Sequence, residues 1–216
     1  MDIAGEIKAM DRTVGARDTR VGEARTVQLR RTYDAPIDDV WEAISNPERI
    51  RRWFMPVSGE LRLGGSYQLE GNAGGEILQC EPPRLLRVSW IYGEPAEDTF
   101  SEVEVRLSDA AGGGTVFELE HVATVEAERW TEFGPGAVGV GWDLALLGLG
   151  LHLDGREIKE SEREAWAMSA EGRDFATQSS QAWASAHEAA GATSAEAAAA
   201  RDNTTRFYAP EPDEAP

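Results

Sequence analysis

The chain has 216 residues, 41% of them hydrophobic, with 21 basic against 39 acidic residues and a formal charge of −18. That apolar fraction excludes a wholly disordered chain, and so large an acidic excess repels phosphate backbones, which excludes nucleic acid as a partner. One cysteine, with no C-x-x-C or His/Cys cluster, excludes a disulfide scaffold, a zinc module and any metal site of that kind.

Residues 1–24 carry charges and small residues without a sustained period and read as a flexible N-terminal arm. They lack the apolar stretch of a secretory signal, so the expected location is cytoplasmic. Thr26 to Tyr33 alternates, with Val27, Leu29 and Tyr33 on one face, as a half-buried strand does. Arg31 falls on that apolar face, either snorkelling to water at a barrel end or serving as an inward polar group. Pro36 then opens a short amphipathic helix with Ile37, Val40, Trp41 and Ile44 at helical spacing. Asn46-Pro47 caps and starts a second helix that ends near Trp53-Phe54.

From Val57 the period becomes 2. Leu61, Leu63, Tyr67 and Leu69 flank Gly64-Gly65, and Glu76 to Glu81 follows a glycine cluster. Leu86, Val88, Trp90 and Tyr92 share one strand face, Val103, Val105 and Leu107 another, and Phe117, Leu119 and His121 a third. Short connections predict an antiparallel meander of about six strands after the helix pair. Residues 126–135 have no clear pattern. Ala137 to about Asp154 is helical and apolar nearly all round, so it is buried on both sides; its longest apolar run, 16 residues, is too short to span a bilayer. The tail supplies a cover: residues 173–190 put Phe175, Ser179 and Trp183 on one face, and Thr193-x-x-Glu196 is a capping box for a further helix.

Several segments in order carry a resemblance: Ala35-Pro36 with Val40-Trp41, Asn46-Pro47-Glu48 to Arg52-Trp53-Phe54, Leu63-Gly64-Gly65-Ser66-Tyr67, Glu81-Pro82-Pro83-Arg84-Leu85, Trp90, Glu118-Leu119-Glu120-His121 and Gly141-Trp142. Residues 26–154 resemble the START-like (SRPBCC) superfamily, in the subgroup of homologues of the activator of heat shock protein 90 ATPase. The resemblance implies an α+β helix-grip fold, an antiparallel curved sheet wrapped on a long C-terminal helix, here with an added C-terminal helical extension. It also implies a link to the stress response. The expected layout is an arm over 1–24, the helix-grip domain over 25–155, a packed helical extension over 156–208 and a disordered tail over 209–216.

Gly134-x-Gly136-x-x-Gly139 matches a dinucleotide fingerprint but lacks the strand–turn–helix setting that gives the motif its chemistry, so it reads as a close-approach loop. No cofactor is expected. His121, on an apolar face, is either a hydrogen-bonded core histidine or an acid/base in a cavity. Cys80 reads as a small buried hydrophobe. Gly139, Gly141, Gly148 and Gly150 thin the long helix, either to leave ligand volume or to admit tight packing. No catalytic residue is assigned, and the chain leans away from being an enzyme. The expected ligand is a small hydrophobic molecule between sheet and helix, in a cavity of Trp90, Tyr92, His121, Trp142, Leu146, Arg31 and Phe54. The alternatives are a cyclase- or hydrolase-like enzyme using the same cavity, and a chaperone cofactor or interaction module. The last would bind a protein partner through the acidic face, since residues 35–155 hold 21 acidic against 8 basic residues.

Overall fold

The computed structural model describes residues 2–210 apart from 95, 97 and 157. Its strands are β1 (Met10–Thr19), β2 (Gly22–Tyr33), β3 (Val57–Gly59), β4 (Ser66–Leu69), β5 (Gly74–Glu81), β6 (Leu85–Ser89), β7 (Ser101–Asp109) and β8 (Thr115–Ala123). Together they make one eight-stranded antiparallel sheet in the order β1-β2-β8-β7-β6-β5-β4-β3. The helices are α1 (Ile3–Lys8), α2 (Ile37–Ser45), α3 (Pro47–Trp53), α4 (Ala127–Phe133), α5 (Gly136–Leu153), α6 (Glu160–Ala167), α7 (Ala170–Ala189) and α8 (Ser194–Tyr208).

Alternation gives the sheet one apolar face. Cross-strand register sets Val27, His121, Val103 and Val88 in one row and Leu29, Leu119, Val105 and Leu86 in the next. α5 lies against that face, with the Tyr33 hydroxyl donating to the Leu146 carbonyl at 2.9 Å. The opposite face carries the acids. There Arg17 meets Glu120 at 2.9 Å and Arg106 meets Glu104 at 2.7 Å, so arginines lace part of the acidic surface.

The N-terminal residues differ from the expected arm. They form α1 and the ten-residue strand β1, which pairs along its whole length with β2. The inward residues of β1 include Arg12, opposite Leu29, and a charge at that position hides the alternation. Arg12 is tolerated because its Nε donates to Asp143 of α5 at 3.0 Å and its Nη2 stands 2.9 Å from the same carboxylate oxygen as an ion pair, with both side chains buried. Ser179 and Trp183 of α7 donate to the same carboxylate oxygen, Trp183 from 3.1 Å. Burial pushes the Asp143 carboxyl up, and Arg12, Ser179 and Trp183 oppose that shift. One carboxylate thereby ties the first strand and the added helices to the central helix.

α5 is covered on its far side. Leu147 and Leu151 pack with Ile3 of α1 and Phe175 of α7. It is the one helix among the described residues long and apolar enough to cross a membrane, by length and composition, and 61% of it is buried inside the fold. Its glycines serve packing: a Cβ on Gly139 would collide with the Trp183 ring, and one on Gly148 would come within 2.6 Å of the Trp53 carbonyl. The Gly134–Gly139 motif joins α4 to α5, helix to helix, so it has no preceding strand. Residues 60–65 turn rather than extend the strand, leaving Leu63 exposed, because Gly64 adopts φ +73°. Thr193 and Glu196 form the expected capping box of α8. Residues 211–216 of the expected tail lie outside the described residues.

Candidate ligand site

Two cavities lie between sheet and helices. The inner one, of about 150 Å³, is bounded by α2, α3, α5 and the sheet, and its walls include Ile44, Val88, Val105, Leu119 and Leu146. The outer one, of about 630 Å³, lies at the end of the sheet where α4 meets α5. Phe54, Trp90 and Trp142 border both. Phe54 stacks on Trp90 and on Trp142 at 6.4 Å each, and the two tryptophans stand 5.0 Å apart. These rings form a partition.

Each ring is held by local structure. Trp90 follows β6, and its backbone N–H donates to the Ser101 carbonyl at 2.8 Å. One residue on, Ile91 exchanges two 2.9 Å hydrogen bonds with Gly74, so the chain turns away from β7 and Tyr92 emerges at the rim, 64% exposed. Phe54 caps the C-terminus of α3, and Arg163 of α6 donates to the carbonyls of Phe54, Arg51 and Arg52 there.

His121 is buried in this wall. Its Nδ1 accepts from the Trp142 indole N–H at 3.1 Å. An indole nitrogen only donates, so the neutral imidazole carries its proton on Nε2. That nitrogen lies 3.0 Å from the Ser101 hydroxyl oxygen and donates to it. Burial lowers the His121 pKa to about 4, so the ring is neutral at pH 7. Between the unfolded value of 6.5 and 4, the unfolded chain binds the extra proton. Stability is therefore full above pH 6.5 and falls with acidification, by at most about 3 kcal/mol. Urea unfolding should show wild type losing more stability from pH 6.5 to pH 5 than His121→Gln does. Parallel curves for the two proteins would refute this.

Phe54, Trp90, Tyr92, His121 and Trp142 all border the outer pocket. Leu146 borders only the inner cavity. Arg31 borders neither: it meets Glu6 of α1 at 2.8 Å, rests over Tyr33 and abuts Gly150. Its inward position on β2 places it under the far end of α5, where α1 supplies a carboxylate that sequence reasoning assigned to an arm. Arg25, Ser101, Arg129, Trp130 and Tyr208 also border the outer pocket and were not legible in the sequence, since they come from four separate segments, β2, β7, α4 and α8. His152 accepts from Arg49 Nε at 3.2 Å, and His187 packs edge-on to Trp130. Among the described residues no group of three or more His, Cys, Asp or Glu could hold a metal ion.

A curved antiparallel sheet gripping one long helix, with ligand-sized space between them, defines a START-like (SRPBCC) helix-grip protein. The chain belongs to the Activator of Hsp90 ATPase homolog 1-like family, whose model matches residues 34–153. It is similar to CalU16 from Micromonospora echinospora at 41% identity; the match to the crystal structure covers 83% of this chain and 99% of that one with a TM-score of 0.65. The solution structure of CalU16 gives a TM-score of 0.70 over 85% of this chain and 97% of that one. At 83%, the similarity runs past the family segment into flanking elements. The fold is shared with the Aha1 dimer from Colwellia psychrerythraea, at 14% identity, TM-score 0.50, and 59% and 95% coverage of this and that chain. It is also shared with DynU16, a protein of the dynemicin biosynthetic locus, at 21% identity, TM-score 0.54, and 62% and 49% coverage. No curated protein matches the chain.

Proposed function

We propose that this protein holds a small, largely apolar organic molecule in the outer pocket without performing chemistry on it. The observation that carries this reading is a pocket of about 630 Å³ walled by Phe54, Trp90 and Trp142. Ligand sites span roughly 300–1,000 Å³ and combine apolar walls with a few polar groups. The cyclase- or hydrolase-like alternative needs His121 to accept a proton. Trp142 occupies the lone pair that would accept it, and the other ring nitrogen presents a hydrogen to Ser101. His121 is thus arranged as a donor that fixes ring orientation, and through Ser101 it gives the pocket a polar point. The interaction-module alternative is weakened by the arginines that already pair with acids on the outer face. A cytoplasmic location fits an unpaired Cys80.

Gly141 supplies the test. It borders the pocket from α5, and a Cβ there meets only the Tyr208 hydroxyl oxygen, at 3.3 Å. Gly141→Leu should fill the pocket while gaining up to about 1 kcal/mol of helix propensity. Titration with the fluorescent apolar probe N-phenyl-1-naphthylamine should saturate on wild type and fail on Gly141→Leu, whose thermal midpoint should not drop. An absence of saturable binding to wild type, or equal binding by the variant, would overturn the reading.

A further inference from the structure

Three arginines face inward from the β1–β2 hairpin: Arg12, Arg25 and Arg31, opposite Leu29, Ala16 and Met10 respectively. Two have close carboxylates. Asp143 lies 2.9 Å from Arg12, and Glu6 lies 2.8 Å from Arg31. Arg25 is the exception: among the described residues its carboxylate partner is Glu23 alone, at 3.7 Å, and the Glu23 side chain is 62% exposed. Arg25 is also the one of the three that borders the outer pocket. An aromatic face holds it there instead of a carboxylate, since its guanidinium lies over the Trp130 ring at 5.0 Å.

Arg129, one residue away on α4, repeats the arrangement. It borders the same pocket, lies over Phe133 at 5.6 Å and pairs with no carboxylate among the described residues. Glu94 is the one carboxylate among the described lining residues. In a chain of charge −18, the described residues at the pocket mouth therefore include two guanidiniums and one acid. Stacking on a ring fixes a guanidinium plane while leaving its N–H donors free for an acceptor. A planar fork of donors matches carboxylate, sulfonate or phosphate oxygens.

We propose that the ligand is an organic anion, an apolar body carrying one acidic group, whose charge meets Arg25 and Arg129 at the mouth while the body lies along Trp130, Trp142 and Trp90. This rests on the outer pocket being the ligand site, as proposed above. A neutral ligand would leave the donors of both arginines to water. An inorganic anion would leave the aromatic wall unused.

The test uses two probes that differ only in the acid: 1-anilinonaphthalene-8-sulfonate and its neutral parent N-phenyl-1-naphthylamine. Each is titrated fluorimetrically into wild type and into the Arg25→Gln/Arg129→Gln double variant, and each is checked for displacement of the other. Loss of charge-assisted hydrogen bonds should raise the sulfonate Kd at least about tenfold, against less than about threefold for the neutral probe. The sulfonate affinity of wild type should also fall as salt rises, and that of the variant should fall less. If the neutral probe saturates but the two probes lose affinity equally, the anion proposal fails and the pocket reading stands. If neither probe saturates on wild type, both fail.

Discussion

Asp143→Ala is expected to cost about 3–5 kcal/mol of unfolding free energy, because it strands the buried Arg12 guanidinium without its counter-charge. The same change leaves the Ser179 hydroxyl and the Trp183 indole N–H without their acceptor. The loss thus reaches three elements at once: β1, α5 and α7. Removing both charges tells a different story. A volume-matched apolar pair, Arg12→Met with Asp143→Leu, should recover most of the loss, since replacing a buried ion pair by apolar groups is often neutral or stabilising. Urea unfolding of wild type, the single variant and the double variant measures the cycle. A single-variant cost below about 1 kcal/mol, the scale of an exposed pair, would show that the ion pair does not bind these elements together.

Deletion of residues 156–216 should abolish cooperative folding. The family segment ends at residue 153, the last residue of α5, so such a chain would retain the whole of it. But α5 has no polar face to turn outward: Leu147 and Leu151 are packed against Phe175 and Ile3. Exposing a fully buried leucine costs about 1.5–3 kcal/mol. Two of them, together with an Asp143–Arg12 pair opened to water and stripped of Ser179 and Trp183, approach the 5–15 kcal/mol that holds a whole domain. The shortened chain should melt without a sharp transition and give near-ultraviolet circular dichroism far weaker than the full protein. A sharp two-state melt would show that α6 to α8 are only an accessory.

Much of the scaffold could be read from residue spacing because one period governed each segment. Val27, Leu29 and Tyr33 alternate, Ile37, Val40, Trp41 and Ile44 recur at helical intervals, and α5 is apolar all round, so each declares its buried side. β1 could not be read this way. Arg12 interrupts its inward face, and the residue that makes an inward arginine tolerable lies 131 positions later. Arg31 misled for a related reason: its partner, Glu6, sits in a six-residue helix too short to show a period. At the site, the aromatic wall followed from strand parity and helix face. The mouth did not, because Arg25, Arg129 and Tyr208 meet only after β2, α4 and α8 have packed. Tyr92 shares the strand parity of Trp90, yet the Ile91–Gly74 bridge turns the chain outward just before it.

The ring partition has an energetic corollary. The inner chamber of about 150 Å³ is lined mainly by side chains of the kind that ordinarily close up on one another. At about 24 cal/mol per Å³, an unfilled hollow of that size forgoes roughly 3–4 kcal/mol against a tightly filled interior. A protein needing only to stand up could recover that deficit with a few added methyl groups. Here the deficit sits directly behind the Phe54 ring, and Arg163 of the added α6 holds the Phe54 backbone carbonyl. Swinging that ring aside would join the two spaces and let a longer occupant recover the missing contacts. On the proposed reading of the outer pocket, the hollow is space into which a sufficiently long ligand would extend.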